Sequence, residues 1–219
     1  MREEFQRELK ELHKELLKMG TTIEGTIDML LESFQKRDLK GLQEVIERDD
    51  IIDSFEYEIE KKCIHLILKQ QPVAVDLRAI TSILKMITDM ERIADQCSDA
   101  ADYMIQMIRA NGEYYQYDIA PVINMALQVK KMVSVTIDCY VNLDEENAIK
   151  ISLEDDIVDN YFKEINKQIQ ETMQSNSKTV FEGVCLLYII KYLERMADHA
   201  TNICEWIAYR VTGEHKQYN

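Results

Sequence analysis

The chain has 219 residues, a formal net charge of −14, and only six glycines and two prolines. So acidic a surface repels the phosphates of nucleic acids, which argues against a nucleic-acid partner and favours cations or basic protein surfaces. Few helix breakers, with 46% hydrophobic and 30% charged residues, are typical of an all-α protein.

Six helices are predicted, three in each half of the chain. In the first, Leu9, Leu12 and Leu16 recur at helical spacing. Pro72 ends the second, and Gly112 ends the third. The predicted helices span residues 2–36, 38–70, 73–110, 119–141, 144–173 and 177–211, and Gly213 is expected to cap the last.

A short acidic signature occurs twice. Residues 49–53 read DDIID and residues 155–159 read DDIVD, while residues 91–95 read ERIAD and residues 194–198 read ERMAD. The offsets are 155 − 49 = 106 and 194 − 91 = 103 positions. We therefore predict two tandem three-helix bundles related by internal duplication, the first over residues 1–112 and the second over residues 113–219.

The carboxylates of each signature are four residues apart, so they lie on one face of a helix. If neighbouring helices lie side by side, two groups of four carboxylates form, and such groups suit hard cations such as Mg²⁺, Mn²⁺, Ca²⁺ or iron. The candidate ligands are Asp49, Asp53, Glu91 and Asp95 in the first half and Asp155, Asp159, Glu194 and Asp198 in the second. Asp99, Asn202 and His199 lie within one turn and could complete the coordination.

The heptad register of the third and sixth helices places Glu91, Asp95, Glu194 and Asp198 at b and f positions, on the outside of the bundles. A solvated helix face carries the same charges, and Arg92 could serve as their ion-pair partner, as could Arg195 in the second half. No Glu-x-x-His motif, phosphate-binding loop or nucleophile with a base is present, so we predict that the protein is not an enzyme.

Five cysteines without a CxxC pair predict reduced thiols of a cytoplasmic protein. The opening stretch MREEFQRELKELHKELLKMG is polar and charged, and the longest apolar run falls far short of the roughly 20 residues that span a bilayer. We therefore expect a soluble chain without membrane insertion.

The run QQPVAVDLRAITSILKMITDMERIADQCSDAAD (70–102) and the run LERMADHATNICEWIAYRVTGE (193–214) resemble the two halves of the PhoU family, and the resemblance covers essentially the whole chain. It implies two three-helix bundles that hold multinuclear iron or zinc on the eight candidate ligands, with manganese or magnesium as alternatives. It also implies a homodimer that negatively regulates phosphate uptake. The implied partners are the ATPase of the phosphate ABC transporter and a sensor histidine kinase, at the inner face of the membrane.

Ala94 and Ala197 stand where the family commonly has glycine, a methyl group that a helix tolerates. The sequence also permits a second function, a metal-independent helical scaffold whose acidic patches bind a basic partner protein. Metal content distinguishes the two.

Overall fold

The chain folds into eight α-helices and one short 3₁₀ helix in the computed structural model, which describes residues 2–111 and 114–214. No β-strand occurs in these residues, and the prediction of an all-α protein of two three-helix bundles is confirmed. The elements are α1 (Arg2–Lys36), α2 (Leu39–Glu47), α3 (Asp49–Gln70), α4 (Ala74–Asn111), α5 (Ala120–Asn142), α6 (Glu145–Ser152), α7 (Asp155–Ser175), a 3₁₀ helix (Ser177–Thr179) and α8 (Val180–Thr212).

Two of the six predicted helices are each divided in two, which the sequence pattern did not indicate. Arg48 separates α2 from α3, and Leu153 and Glu154 separate α6 from α7. Neither break contains proline or glycine. The amide of Arg48 is shared between the carbonyls of Glu44 and Val45, at 3.1 and 3.2 Å. The breaks turn α2 and α6 onto the neighbouring helices, so tertiary packing overrides local helix propensity there.

The helix ends agree with the predicted capping chemistry. Gly213 has φ +82° and donates its N–H to the Tyr209 carbonyl at 2.8 Å, as expected of a left-handed cap at the end of α8. Asp38 caps α2 by accepting from the Lys40 amide at 3.0 Å. The predicted boundary at residues 112 and 113 lies outside the described residues.

The largest helix–helix contact within the described chain joins the two halves, because α4 packs against α8. The heptad seams predicted for these helices are buried, including Met90, Ile93, Leu193 and Met196. The helix pattern of the sequence did not predict this contact between the bundles. The buried side chains of both halves consequently form one continuous hydrophobic core.

The contact between α4 and α8 is antiparallel and has approximate two-fold symmetry. Near one end Asn202 donates to Asp89 at 3.1 Å, and near the other Tyr103 stacks on Tyr188 with ring centroids 4.4 Å apart. The residue numbers of the two pairs have the same sum, 89 + 202 = 103 + 188 = 291, as an antiparallel contact requires. Moving Asp89 and Asn202 by the repeat offset of 103 gives Tyr192 and Asp99, and these two side chains are also hydrogen-bonded to each other. The duplication seen in the sequence thus generates a symmetric interface in space.

A polar network ties α1 to both α5 and α8. His13 Nδ1 lies 2.5 Å from Tyr140 Oη, and His13 Nε2 lies 3.2 Å from Arg210 Nη2. Burial, with the neighbouring guanidinium of Arg210, lowers the pKa of His13 to about 4. The imidazole is therefore neutral at pH 7, accepting from Arg210 and donating to Tyr140.

Acidification is expected to destabilise the protein through His13. The imidazole has a pKa of 6.5 when unperturbed and about 4 in the fold, so its contribution to stability is present above pH 6.5 and is lost as the pH falls towards 4. In urea unfolding over this range, His13→Gln should lose less stability than the wild type. The matched control His65→Gln, at an exposed position of α3, should follow the wild type. Equal pH dependence of His13→Gln and the wild type would contradict the assignment.

Among the described residues, no helix is both long and apolar enough to cross a bilayer.

Candidate metal centres

The break before α3 makes Asp49 the first residue of that helix, with Asp53 one turn later. α3 packs beside α4, whose Glu91 and Asp95 face these aspartates. One oxygen from each of Asp49, Asp53 and Asp95 lies within 4.8 Å of the other two. We call Asp49, Asp53, Glu91 and Asp95 the first carboxylate cluster. Of the described residues, no other three Asp, Glu, His or Cys side chains meet this closely.

Two oxygens of the first cluster are buried and lack a hydrogen-bond partner, namely Asp49 Oδ1 and Glu91 Oε2. Burial and the neighbouring Asp95 carboxylate raise the pKa of Asp49 to about 6 and that of Glu91 to about 7. Buried acceptors without donors are costly in a folded protein, and nearby carboxylates add mutual repulsion. A cation at this position would relieve both costs.

Arg92 supplies part of the compensating charge. Its Nη1 donates to Asp95 Oδ2 at 2.6 Å, and its Nε lies 3.3 Å from Glu91 Oε2 without hydrogen-bonding geometry. Half of the Arg92 side chain is exposed, so solvent screens this pairing. Arg92 is thus an ion-pair partner of the first cluster, the structural role that the sequence allowed for it.

The second carboxylate cluster consists of Asp155, Asp159, Glu194 and Asp198. Asp155 is the first residue of α7, and its Oδ1 is also buried without a hydrogen-bond partner. Burial, followed by the charges of Asp198, Asp159 and Glu194, raises the pKa of Asp155 to about 6. Burial and Glu194 also raise the pKa of Asp198. The eight predicted residues therefore form two groups of four in equivalent places.

Lysines make the second cluster more neutral than the first. Lys191 Nζ lies 2.5 Å from Glu194 Oε2, and Lys163 Nζ lies 3.2 Å from Asp159 Oδ2. Both are pairs within a single helix, and both lysines are about half exposed or more. The two clusters are consequently alike in position but different in electrostatics.

Of the three residues that could complete the coordination, two lie away from the clusters. Asn202 donates to Asp89 Oδ1 at 3.1 Å, and His199 Nδ1 lies 2.9 Å from the same oxygen. Both side chains therefore engage α4 across the interface between the bundles, and neither joins the second cluster. Asp99 is exposed and adjoins Asp95, while a hydrogen bond with Tyr192 opposes the rise that burial causes in its pKa. It is the one peripheral residue that stays beside a cluster.

The sequence reasoning missed Glu56. It follows Asp53 by three residues, accepts from Thr88 Oγ1 at 3.1 Å, and its charge raises the pKa of Glu91. The 4, 3 spacing of Asp49, Asp53 and Glu56 is the signal that would have found it. Comparing the two repeats did not reveal Glu56, because the equivalent position of α7 is Phe162, which is not acidic.

The carboxylate clusters were predicted to lie on the outside of the bundles, but the structure shows them to be partly covered. The clusters avoid the seams, but α3 and α7 cover one side of them, so the Glu91 side chain is only 14% exposed and that of Glu194 only 16%. They occupy half-buried grooves between helices. The cluster carboxylates offer oxygen atoms alone, which suits hard cations better than zinc, whose structural sites favour cysteine and histidine.

The fold and these grooves define a class of duplicated helical proteins with one carboxylate cluster in each repeat. A family model described as the PhoU domain matches residues 16–104 and 122–207, and the chain belongs to the PhoU family. The chain is similar to a "Phosphate-specific transport system accessory protein PhoU homolog" of Clostridium acetobutylicum, at 38% identity over 98% of this chain and 97% of that protein. A homologue of the same description from Pseudomonas aeruginosa is 30% identical over 96% of this chain and 86% of that protein.

Two solved structures of PhoU proteins have a fold similar to that of this chain. The crystal structure of PhoU from Pseudomonas aeruginosa matches with a TM-score of 0.92 at 30% identity, covering 96% of this chain and all of that one. The phosphate transport system regulatory protein PhoU from Streptococcus pneumoniae matches with a TM-score of 0.88 at 27% identity, covering 97% of this chain and 99% of that one.

Proposed function

We propose that this protein is a negative regulator of phosphate uptake and of phosphate-starvation signalling. It would act in the cytoplasm by bridging the ATPase of a phosphate ABC transporter and a sensor histidine kinase. The observation that carries the proposal is the full-length similarity to relatives named as phosphate-specific transport system accessory proteins. The net charge of −14 supports protein partners with basic surfaces and disfavours nucleic acid. A homodimer is part of the proposal.

We also propose that both carboxylate clusters hold metal ions. The support is the buried, unpartnered Oδ1 of Asp49 and of Asp155, each at the start of a helix and each in a group of four carboxylates. The oxygen donors favour iron, manganese or magnesium over zinc. A multinuclear site is consistent with more carboxylates than one ion requires. Bound ions would supply positive charge in the grooves.

The residues of each cluster would then work as a clamp. Asp49 and Asp53 would hold an ion from α3 and Glu91 and Asp95 from α4, and the ion's positive charge would fix the two helices relative to each other. In the second half the same roles fall to residues of α7 and α8. Neutralised carboxylates no longer repel, and the local surface changes from acidic to neutral or positive. A partner that recognises this surface would respond to metal occupancy.

Deleting the gene is expected to derepress phosphate-starvation genes when phosphate is plentiful, because the proposed inhibition of the sensor kinase would be lost. Transcript levels of these genes in high phosphate measure the effect, and a plasmid copy of the wild-type gene should restore repression. Unchanged expression after deletion would refute the regulatory proposal. Retained repression by cluster variants would separate regulation from metal binding.

A metal-independent scaffold is the second candidate. Arg92 on the first cluster and Lys163 and Lys191 on the second favour it, because the chain's own cations partly neutralise the carboxylates. The acidic grooves would then bind a basic surface of a partner protein directly. Equal metal content in the wild type and in variants lacking cluster carboxylates would favour this alternative.

A further inference from the structure

The outer face of α3 exposes a row of large side chains. Tyr57 is 61% exposed, Ile64 46% and Leu68 74%. With Lys61 they recur at spacings of four, three and four, so all four lie on one side of the helix. The ammonium of Lys61 lies over the Tyr57 ring, 5.7 Å from its centroid. We call these four residues the α3 stripe.

The second repeat provides an internal comparison for this face. The core positions of the two helices match, since Ile52, Ile59 and Cys63 of α3 and their counterparts Val158, Ile165 and Ile169 of α7 are all buried. The counterparts of the stripe, also 106 positions later, are Lys163, Lys167, Gln170 and Gln174, and all are exposed. The same fold therefore tolerates a fully polar face here, and the apolar face of α3 is not a requirement of the bundle.

Two more large apolar side chains are exposed just after this helix. Val73 and Val75, around the start of α4, are 71% and 66% exposed. Several large apolar side chains exposed on one side of a protein are typical of an interaction site. The four residues of the α3 stripe have the spacing of heptad a and d positions, so a second helix with an a/d stripe can pack against them.

Charges on the two edges of the stripe indicate the chemistry of the partner. On one edge the lysines are already engaged, Lys62 with Glu15 and Lys69 with Glu4 and Glu8. On the other edge Glu60 is exposed, and it has no ion pair within the described part of the chain. A partner would meet apolar side chains flanked by uncompensated negative charge. An anionic membrane surface fits poorly, because the chain carries a net charge of −14.

We propose that the α3 stripe docks an amphipathic helix of another protein, whose aliphatic stripe is flanked on one side by lysine or arginine. The apolar side chains of the stripe would supply the contact, and Glu60 would select the basic flank. Repeat two, with its polar face, would not bind this partner. The surface is separate from the buried faces of the carboxylate clusters and needs no metal.

A photocrosslinking experiment on the full chain tests this proposal. Benzoylphenylalanine is placed at position 64 of α3, or at position 170 of α7 as the matched control, and the crosslinked peptides from intact cells are sequenced by mass spectrometry. Position 64 should crosslink to a segment with an aliphatic heptad stripe and a basic flank, and position 170 should not. Crosslinks to a second copy of this chain, crosslinks to lipid, or equal yields at both positions would overturn the proposal.

The synthetic peptide of that segment then gives a quantitative test. Replacing Ile64 and Leu68 by the glutamines that repeat two carries (Ile64→Gln/Leu68→Gln) should weaken its binding by about tenfold or more. Glu60→Lys should also weaken binding, while the control Gln170→Ala/Gln174→Ala should bind as the wild type does. Unchanged affinity of the Ile64→Gln/Leu68→Gln variant would refute the docking site. Deletion of the gene tests the regulatory proposal independently of these outcomes.

Discussion

Mn²⁺ or Fe²⁺ is expected to raise the unfolding temperature of the chelator-treated protein. In the variant Asp49→Asn/Asp95→Asn this rise should be smaller, because ions no longer bind at the first cluster. An ion at about 100 times its dissociation constant stabilises the bound fold by about 2.7 kcal/mol. Elemental analysis should show correspondingly less metal in the variant. Asp155→Asn/Asp198→Asn should do the same for the second cluster.

The matched control is Asp50→Asn/Asp102→Asn, which removes two exposed carboxylates from the same two helices. It should keep the wild-type metal content and the wild-type response to Mn²⁺. Equal metal content in the control and both cluster variants would contradict metal binding at the clusters and favour the scaffold.

In the metal-free protein, Asp49→Asn should increase stability, whereas in the metal-loaded protein it should decrease it. Burial and Asp95 raise the folded pKa of Asp49 to about 6, so its contribution to stability is present below the unfolded pKa of 3.8 and is lost as the pH rises through 6. Allowing for solvent screening at this half-exposed group, the substitution should stabilise the metal-free protein by about 1 kcal/mol at about pH 8. Urea unfolding in a chelator measures it, and a destabilised variant would contradict the assignment.

Glu182→Leu is expected to destabilise the fold by about 2 to 4 kcal/mol, because it leaves two part-buried backbone amides without their acceptor. The Glu182 side chain is buried and accepts from the Gln116 amide at 2.8 and 3.0 Å and from the Tyr117 amide at 3.4 Å. It thereby holds the connection between the halves against α8. The same connection contacts α1, because Tyr115 Oη donates to the Phe34 carbonyl at 2.7 Å.

Urea unfolding measures this effect, and Glu182→Gln should lose less stability because its amide oxygen still accepts. The control Glu164→Gln changes an exposed glutamate of α7 and should unfold as the wild type does. A Glu182→Leu variant within about 0.5 kcal/mol of the wild type would show that the connection does not need this acceptor.

The features that follow from repeated sequence patterns, namely the helical segments and the carboxylate clusters, were predictable from the sequence. Helical spacing of apolar residues gave the six helical segments, and the paired acidic signatures gave both carboxylate clusters and the equivalence of Asp49 with Asp155. The helix breaks and the contacts between the halves were not predictable, because they depend on residues that are distant in the sequence. The pattern runs through Arg48 without a breaker, and nothing near Asn202 indicates that its amide donates to Asp89 of the other half.

Glu182 and Glu56 escaped notice for a related reason. Each is an ordinary charged residue of a helix until a distant segment is placed against it. The amides of the connection satisfy Glu182, and the approach of α4 places Glu56 beside Glu91. Comparison of the two halves also fails where they differ, as at Phe162.

The sequence by itself determined that this protein is helical, duplicated and acidic, with two sets of four carboxylates, because periodicity and spacing are local properties of a helix. Only the tertiary structure decided that α4 and α8 join the two bundles in one core. It also decided that the clusters lie in half-buried grooves, where Asp49 and Asp155 each keep an unpartnered oxygen. Burial and pairing between distant segments depend on how helices pack, and the helix pattern alone does not specify that.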